Sequence, residues 1–307
     1  MKLIHELQNT EALLDVRLSR STRELVTLDS RGKVQFWTFP QLVETASLQT
    51  DKKLLRGVEI SNDGNYLVVV ALDGSLVFSR NERGFDESNV QNTSKSFTIA
   101  FTPDSQFLLL TIADQILSLK KLGTRDYTDI DESLNERNYG FAFHPDGYRF
   151  VLASCAQGAS ELMFYDLRDL KYRLVLTIRH DELSPPAWSG DGRWVAVSHH
   201  GPVVYSVTDA MSIRHTFDSD GKKIERFEDG LLVEYKRLWT RSVFQPARNT
   251  MLTGSPDGKV FRWDLEDGVL VDQVQAHEGR VLDISMTLDE QLLVSCGQDK
   301  YLRVWEI

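Results

Sequence analysis

Residues 61–70 read SNDGNYLVVV, and the phrase returns as TPDSQFLLL at 102–110, HPDGYRFVLA at 144–153, SGDGRWVAV at 189–197 and TLDEQLLVS at 287–295. Each copy is a turn built on an aspartate (Asp63, Asp104, Asp146, Asp191 or Asp289) followed by a short apolar run. An aspartate in a turn hydrogen-bonds its own backbone two residues on, and β-branched and aromatic residues favour the strand behind it. Two degenerate copies complete the series: SRSTRELVT at 19–27, with Thr22 in the aspartate's place, and QPARNTMLT at 245–253, with Arg248 there. Successive copies are then 41, 41, 42, 45, 57 and 41 residues apart. Self-similarity at such a period marks a repeat architecture.

Working outward, every copy has the same surroundings. A short strand precedes the turn, as at 141–143 and 281–285, and a second strand follows it. A tight turn comes next (LDG at 72–74, SPDG at 255–258, GQDK at 297–300), then a third strand, as at 259–263 and 301–305, and a fourth, as at 270–275. Short β-rich runs between Gly, Asp and Pro turns predict antiparallel sheet throughout, and no long amphipathic helical pattern interrupts them. Four strands per unit, repeated radially, predict an all-β propeller.

The third strands carry a signature dipeptide, Trp263-Asp264, with looser versions Tyr165-Asp166 and Trp305-Glu306. The last repeat adds His277, Ser295, Asp299 and Trp305 in the spacing HEGRV…SCGQD…W. In these residues the chain resembles the WD-repeat family. The resemblance implies a structural hydrogen-bonded set in which imidazole, hydroxyl, carboxylate and indole N–H satisfy one another. The sixth repeat keeps Thr253, Asp257 and Trp263 and lacks the His; the first keeps Thr27 and Trp37 but has Arg31 at the aspartate position; the second to fifth lack the Trp. A divergent member is implied. Its fold would be one seven-bladed propeller over 1–307, with blades at about 12–50, 51–93, 94–136, 137–179, 180–238, 239–276 and 277–307. The last repeat stops after its third strand. A strand over 3–8, with Leu3, His5 and Leu7 on one face, is expected to complete that blade and close the ring.

The composition fits an ordinary globular protein, with 41% hydrophobic and 26% charged residues. A net charge of −10 speaks against nucleic acid as a partner. The longest apolar runs, 66–72 and 107–113, fall short of the ~20 residues that span a bilayer. The N-terminus turns polar after four residues, so no secretory leader is expected, and Asn92-Thr93-Ser94 should go unglycosylated. Two cysteines, Cys155 and Cys296, fit a reducing compartment, the cytoplasm or the nucleus.

Motifs for catalysis or cofactors are missing: there is no GxxxxGK[ST], GxGxxG, HExxH or CxxC. No cofactor, metal or catalytic residue is expected. His199-His200 reads as turn residues, and His277 with Ser295 and Asp299 as the structural set rather than a nucleophilic triad. The informative positions flank the start of each innermost strand. Counted back from the turns, they are Leu13, Leu54, Lys95, Arg137, Glu182, Trp239 and Arg280, then Asp15, Arg56, Phe97, Tyr139, Ser184, Arg241 and Leu282. Five of these are cationic and two anionic. Arg and aromatic residues dominate binding hot spots. A partner site is therefore expected at Arg56, Lys95, Phe97, Arg137, Tyr139, Trp239, Arg241 and Arg280, for an acidic or phosphorylated protein segment. The long fifth interval adds an insertion over 218–239, read as a hairpin around Glu228-Asp229-Gly230. The function expected is a non-catalytic scaffold or adaptor, part of a larger complex. Its rivals are a propeller hydrolase or lactonase, and a sensor for a small acidic ligand in the channel mouth.

Overall fold

A computed structural model describes the chain except residues 20–23, 83, 93–97, 113–115, 125, 132–133, 135–136, 157–158, 179–182, 199–201, 207–211, 217–239 and 267–268. The protein is all-β, and among the described residues its one helical segment is a single 3-10 turn at Pro246–Arg248. Among the described residues the strands form seven four-stranded antiparallel sheets in a β-propeller arrangement. The innermost strands are Leu13–Leu18, Leu55–Ile60, Ile99–Phe101, Arg137–Phe143, Ala187–Trp188, Ser242–Gln245 and Val281–Met286. Each touches the next in chain order, and the last touches the first.

Burial explains why the repeated phrase is so apolar. A second strand such as Tyr66–Ala71 or Leu292–Gly297 is covered on both faces by neighbouring sheets, so nearly every residue is buried. An outer strand such as Leu270–Gln275 alternates between half-buried and exposed, because solvent covers one face. Apolar clusters fill the seams between consecutive sheets; Val26, Phe36, Val58 and Phe78, for example, join the first sheet to the second.

The aspartate turns share one hydrogen-bond pattern. Ser61, Thr102, Ser189 and Thr287 each donate a hydroxyl to the aspartate two residues on, at 2.6 Å. The same carboxylate accepts the backbone N–H two residues further, as from Asn65 and Gln106 at 3.0 Å. The residue after the aspartate is left-handed in all five turns, and Ser105 and Glu290 adopt that geometry where the other copies have glycine.

The N-terminal strand, Lys2–Gln8, pairs antiparallel with Tyr301–Glu306 as the fourth strand of the last sheet. Its facing differs from strict alternation. A bulge between Leu3 and His5 inserts Ile4, so Ile4 and Leu7 pack on the apolar seam while Leu3 and His5 are exposed. The insertion over 218–239 and the pair His199-His200 lie outside the described residues.

Candidate functional site

In the last sheet, His277 is held between two partners. Its Nδ1 lies 2.8 Å from Asp299 Oδ1, its Nε2 2.8 Å from Ser295 Oγ, and Trp305 Nε1 donates to Ser295 Oγ at 2.9 Å. Arg303 Nη1 donates to Asp299 Oδ2 at 2.7 Å. Burial pushes the His277 imidazole below its ordinary pKa, which favours the neutral ring, and Arg303 Nη1 also lies 2.9 Å from its Nδ1. Burial alone would raise the Asp299 carboxyl, but Arg303 and His277 hold it below the usual range. A Cβ on Gly297 would lie 2.3 Å from the His277 ring, so this position admits only glycine. Trp37 and Trp263 make the same indole bond to Thr27 and Thr253, at 2.9 and 3.0 Å. His277, Ser295 and Trp305 are all buried within the sheet.

The hydroxyls also fix the register of the innermost strands. Val16, Ser242 and Ile284 pair opposite Thr27, Thr253 and Ser295, which puts Asp15, Arg241 and Asp283 at one level. One residue earlier, Leu14, Arg56, Tyr139 and Leu282 stand at β-bulges of four sheets. Bulges re-aim a side chain, and here they define the loop end of the channel, where the inner strands begin. Arg56 is exposed there; Tyr139 and Arg280 are half-buried. Arg241 turns inward to Glu59 instead. Lys95, Phe97, Glu182 and Trp239 lie outside the described residues, and Arg137 opens its strand with its side chain not described.

Mid-channel, residues from four sheets form a buried ion cluster that the turn-based count did not bring together. Arg17 Nη1 is bound to both Asp15 and Asp283, and also donates to the Val16 carbonyl at 2.7 Å. Arg17 Nε and Nη2 each reach Glu59 Oε1 at 3.2 Å, and Arg241 Nη1 reaches the same oxygen at 3.4 Å. Val58 N–H donates to Asp15 Oδ2 at 2.9 Å, and a Cβ on Gly57 would fall 2.4 Å from that oxygen. Burial pushes the Asp15 carboxyl well above its ordinary range, and Asp283 beside it adds to the rise. Burial would likewise raise Asp283 and Glu59, but Arg17 holds both below, with Arg241 helping. Two guanidinium groups thus face the carboxylates of Glu59 and Asp283, with the Asp15 carboxyl shifted toward its protonated form.

Below the cluster, at the turn end, lies a cavity of about 820 Å³. Its mouth is ringed by the residue that precedes each turn phrase: Leu18, Ile60, Phe101, Phe143, Trp188, Phe244 and Met286. Each also packs on its own seam cluster or belongs to it. One residue deeper the wall reads Arg17, Glu59, Ala100, Ala142, Ala187, Val243 and Ser285. The cavity is thus lopsided, with ions on the first two sheets and alanines on the third to fifth. The sequence carried a signal for this ring, one apolar residue at a fixed repeat position, four of them aromatic.

No helix among the described residues is long and apolar enough to cross a membrane. The family described as WD domain, G-beta repeat matches residues 268–306, the last sheet with the close of the preceding one. Over 59 residues the chain is 37% identical to DDB1- and CUL4-associated factor 13 of Dictyostelium discoideum, covering 19% of this chain and 13% of that protein. It is 36% identical over 59 residues to human Pre-mRNA-processing factor 17, covering 19% of this chain and 10% of that protein. A longer, weaker match, 26% over 132 residues, links 43% of this chain to 18% of human Protein Atg16l2. The matches cover less than a fifth of each of these relatives. With the indole–hydroxyl bonds of three sheets and the complete His277 set of the last, these matches show that the last sheet is similar to a WD-type repeat and support the resemblance of the chain to a divergent WD-repeat protein.

Proposed function

We propose that the chain is a non-catalytic interaction platform, a component of a protein complex that engages an acidic or phosphorylated partner segment at the loop end of its channel. This reading takes the seven sheets as the blades of a closed ring, rigid enough to hold residues from different blades in one plane. The contact residues are Arg56, Lys95, Phe97, Arg137, Tyr139, Trp239 and Arg280, with Arg56 central. The observation that supports it most is the shared level of the loop-end bulges. Arg56 projects from one of them, exposed and, among the described residues, without a carboxylate partner. An exposed guanidinium is suited to bidentate recognition of carboxylate or phosphate. The names of the relatives, an associated factor and a processing factor, agree with a role inside assemblies. The compartment proposed is a reducing one, cytoplasm or nucleus.

A channel hydrolase would need converging carboxylates, and Asp15, Glu59 and Asp283 do converge. Arg17 binds all three, and Asp15 and Asp283 are only 5% and 6% exposed. A set so paired braces the channel, and its one half-buried carboxylate, Glu59, is engaged by both Arg17 and Arg241. The test is to compare proteins captured from cell extract by the parent and by Arg56→Glu with Arg137→Glu. Partners of this face should be lost from the double variant at unchanged melting temperature, and should elute as salt rises. Equal recovery on both baits, at low and high salt, would refute the loop-end site.

A further inference from the structure

The turn end of the channel has features of its own that nothing in the loop-end reading uses. The mouth is apolar on all seven sheets, and Leu288 at its rim is 67% exposed. The ring residues are half-buried, with Phe244 buried, and Leu288 is an exposed apolar group set beside them, as at a contact site. At about 820 Å³ the cavity falls in the usual range for ligand pockets, roughly 300–1,000 Å³. The alanine side of the wall leaves room for a large side chain to enter off-axis, away from Arg17 and Glu59. Five of the eight prolines of the chain (Pro40, Pro103, Pro145, Pro186 and Pro246) line it, so the rim is conformationally restricted before any partner arrives.

Charge around the mouth selects the partner. Two turn aspartates are neutralised locally, Asp146 by Arg149 and Asp191 by Arg193. Asp63 and Asp104 are exposed and have no cation among the described residues; each is adjacent to a cavity-lining residue, Asn62 or Pro103. Glu290 lines the cavity itself and accepts only a backbone N–H, from Ala247. The ions of the deep cluster are paired with one another, so the rim carboxylates are the charges that face a partner at this mouth.

From this geometry we infer that the turn-end cavity is a second docking site, for a partner protein segment that seats an aromatic side chain in the mouth and sets lysine or arginine against Asp63, Asp104 and Glu290. The aromatic ring meets Phe101, Phe143, Trp188 and Phe244 edge-on or offset, and the cations remain at the wet rim. The site is chemically opposite to the loop end: apolar and acid-rimmed against polar and basic. Its occupant is therefore a different segment.

The test uses the full chain and a fluorescent peptide bearing one tryptophan flanked by lysines, read by polarisation. Saturable binding is expected. It should weaken about tenfold or more when the peptide's tryptophan becomes serine, and again when its lysines become glutamates. Leu288→Lys, on an exposed rim, and Ala142→Leu, which fills the wall, should each weaken binding about tenfold; Leu288→Lys serves where Ala142→Leu lowers the melting temperature. Arg56→Glu with Arg137→Glu should leave this binding unchanged, which separates this site from the loop-end one. Absence of saturable binding, or binding indifferent to the tryptophan or to Leu288→Lys, would overturn the inference. So would concentration-dependent dimerisation of the parent that Leu288→Lys abolishes, since the cavity would then belong to a second copy of the chain.

Discussion

At the loop end of the channel Arg56 stands in solvent with no carboxylate beside it among the described residues, whereas Arg17, further along the same ring of strands, is bound to three. Both are arginines on innermost strands of adjacent sheets. The difference is depth. Arg17 is in the low-dielectric middle, where a charge persists only if it is paired, and Arg56 is at the rim, where water supplies what a partner would. An arginine on such a strand is thus a brace in one place and a candidate contact in the other, and residue type alone does not separate the two.

The largest effect that follows is that of Arg17→Met. It strands Asp283 as a buried anion and leaves the half-buried Glu59 to Arg241 alone, and thermal or urea unfolding should register a loss of about 3–5 kcal/mol. A variant as stable as the parent would mean that the cluster is not a brace. Next comes His277→Ala, at the loop end but inside the last sheet. Ser295 and Asp299 lose their partner, and the expected cost is about 1–3 kcal/mol, with partner binding falling only in step with stability. A stable variant that had lost a function would move His277 from scaffold to site.

A pH experiment divides the cluster itself. Asp15 binds its proton more tightly folded than unfolded. Its contribution is therefore fully present below the ordinary carboxylate range and is lost as pH rises through the raised value. Asp283 and Glu59 are shifted down and act oppositely, losing their contribution on acidification. The melting temperature of Asp15→Asn should consequently fall less than that of the parent as pH is raised above the ordinary carboxylate range. Parallel profiles would place the proton elsewhere. The smallest effect on stability is Arg56→Glu, within about 0.5 kcal/mol of the parent by chemical unfolding. A larger loss would show that Arg56 is also structural and erase the contrast between the two ends.

The fold was legible wherever the turn had its aspartate. The middle strands are buried on both faces, so they read as unbroken apolar runs, and the Ser/Thr-x-Asp turns punctuate them. Counting back from the turns was one residue out in the first and sixth sheets, where Thr22 and Arg248 stood in for aspartate. That slip set Asp15 and Arg241 level with Arg56, whereas pairing opposite Thr27 and Thr253 sets them level with Asp283. The bulge at Ile4 was hidden for a similar reason, since an inserted residue leaves no trace in a strand of mixed polarity. The ion cluster was illegible because Arg17 and Asp283 are 266 residues apart in the chain. The apolar mouth was legible in the position before each turn, where a periodic aliphatic or aromatic residue looks like any other core residue.

The pairing of Lys2–Gln8 with Tyr301–Glu306 has a mechanical side. The two strands run antiparallel, with Lys2 opposite Glu306 and Gln8 opposite Tyr301. Tension applied between Met1 and Ile307 therefore pulls on the same end of the ladder. It loads the Lys2–Glu306 rung first and passes to the next only when that one fails, so the seam unzips instead of shearing. Tethered by its two ends, the molecule should open at this seam under low force, although the same strand shields an entire sheet edge when no load is applied.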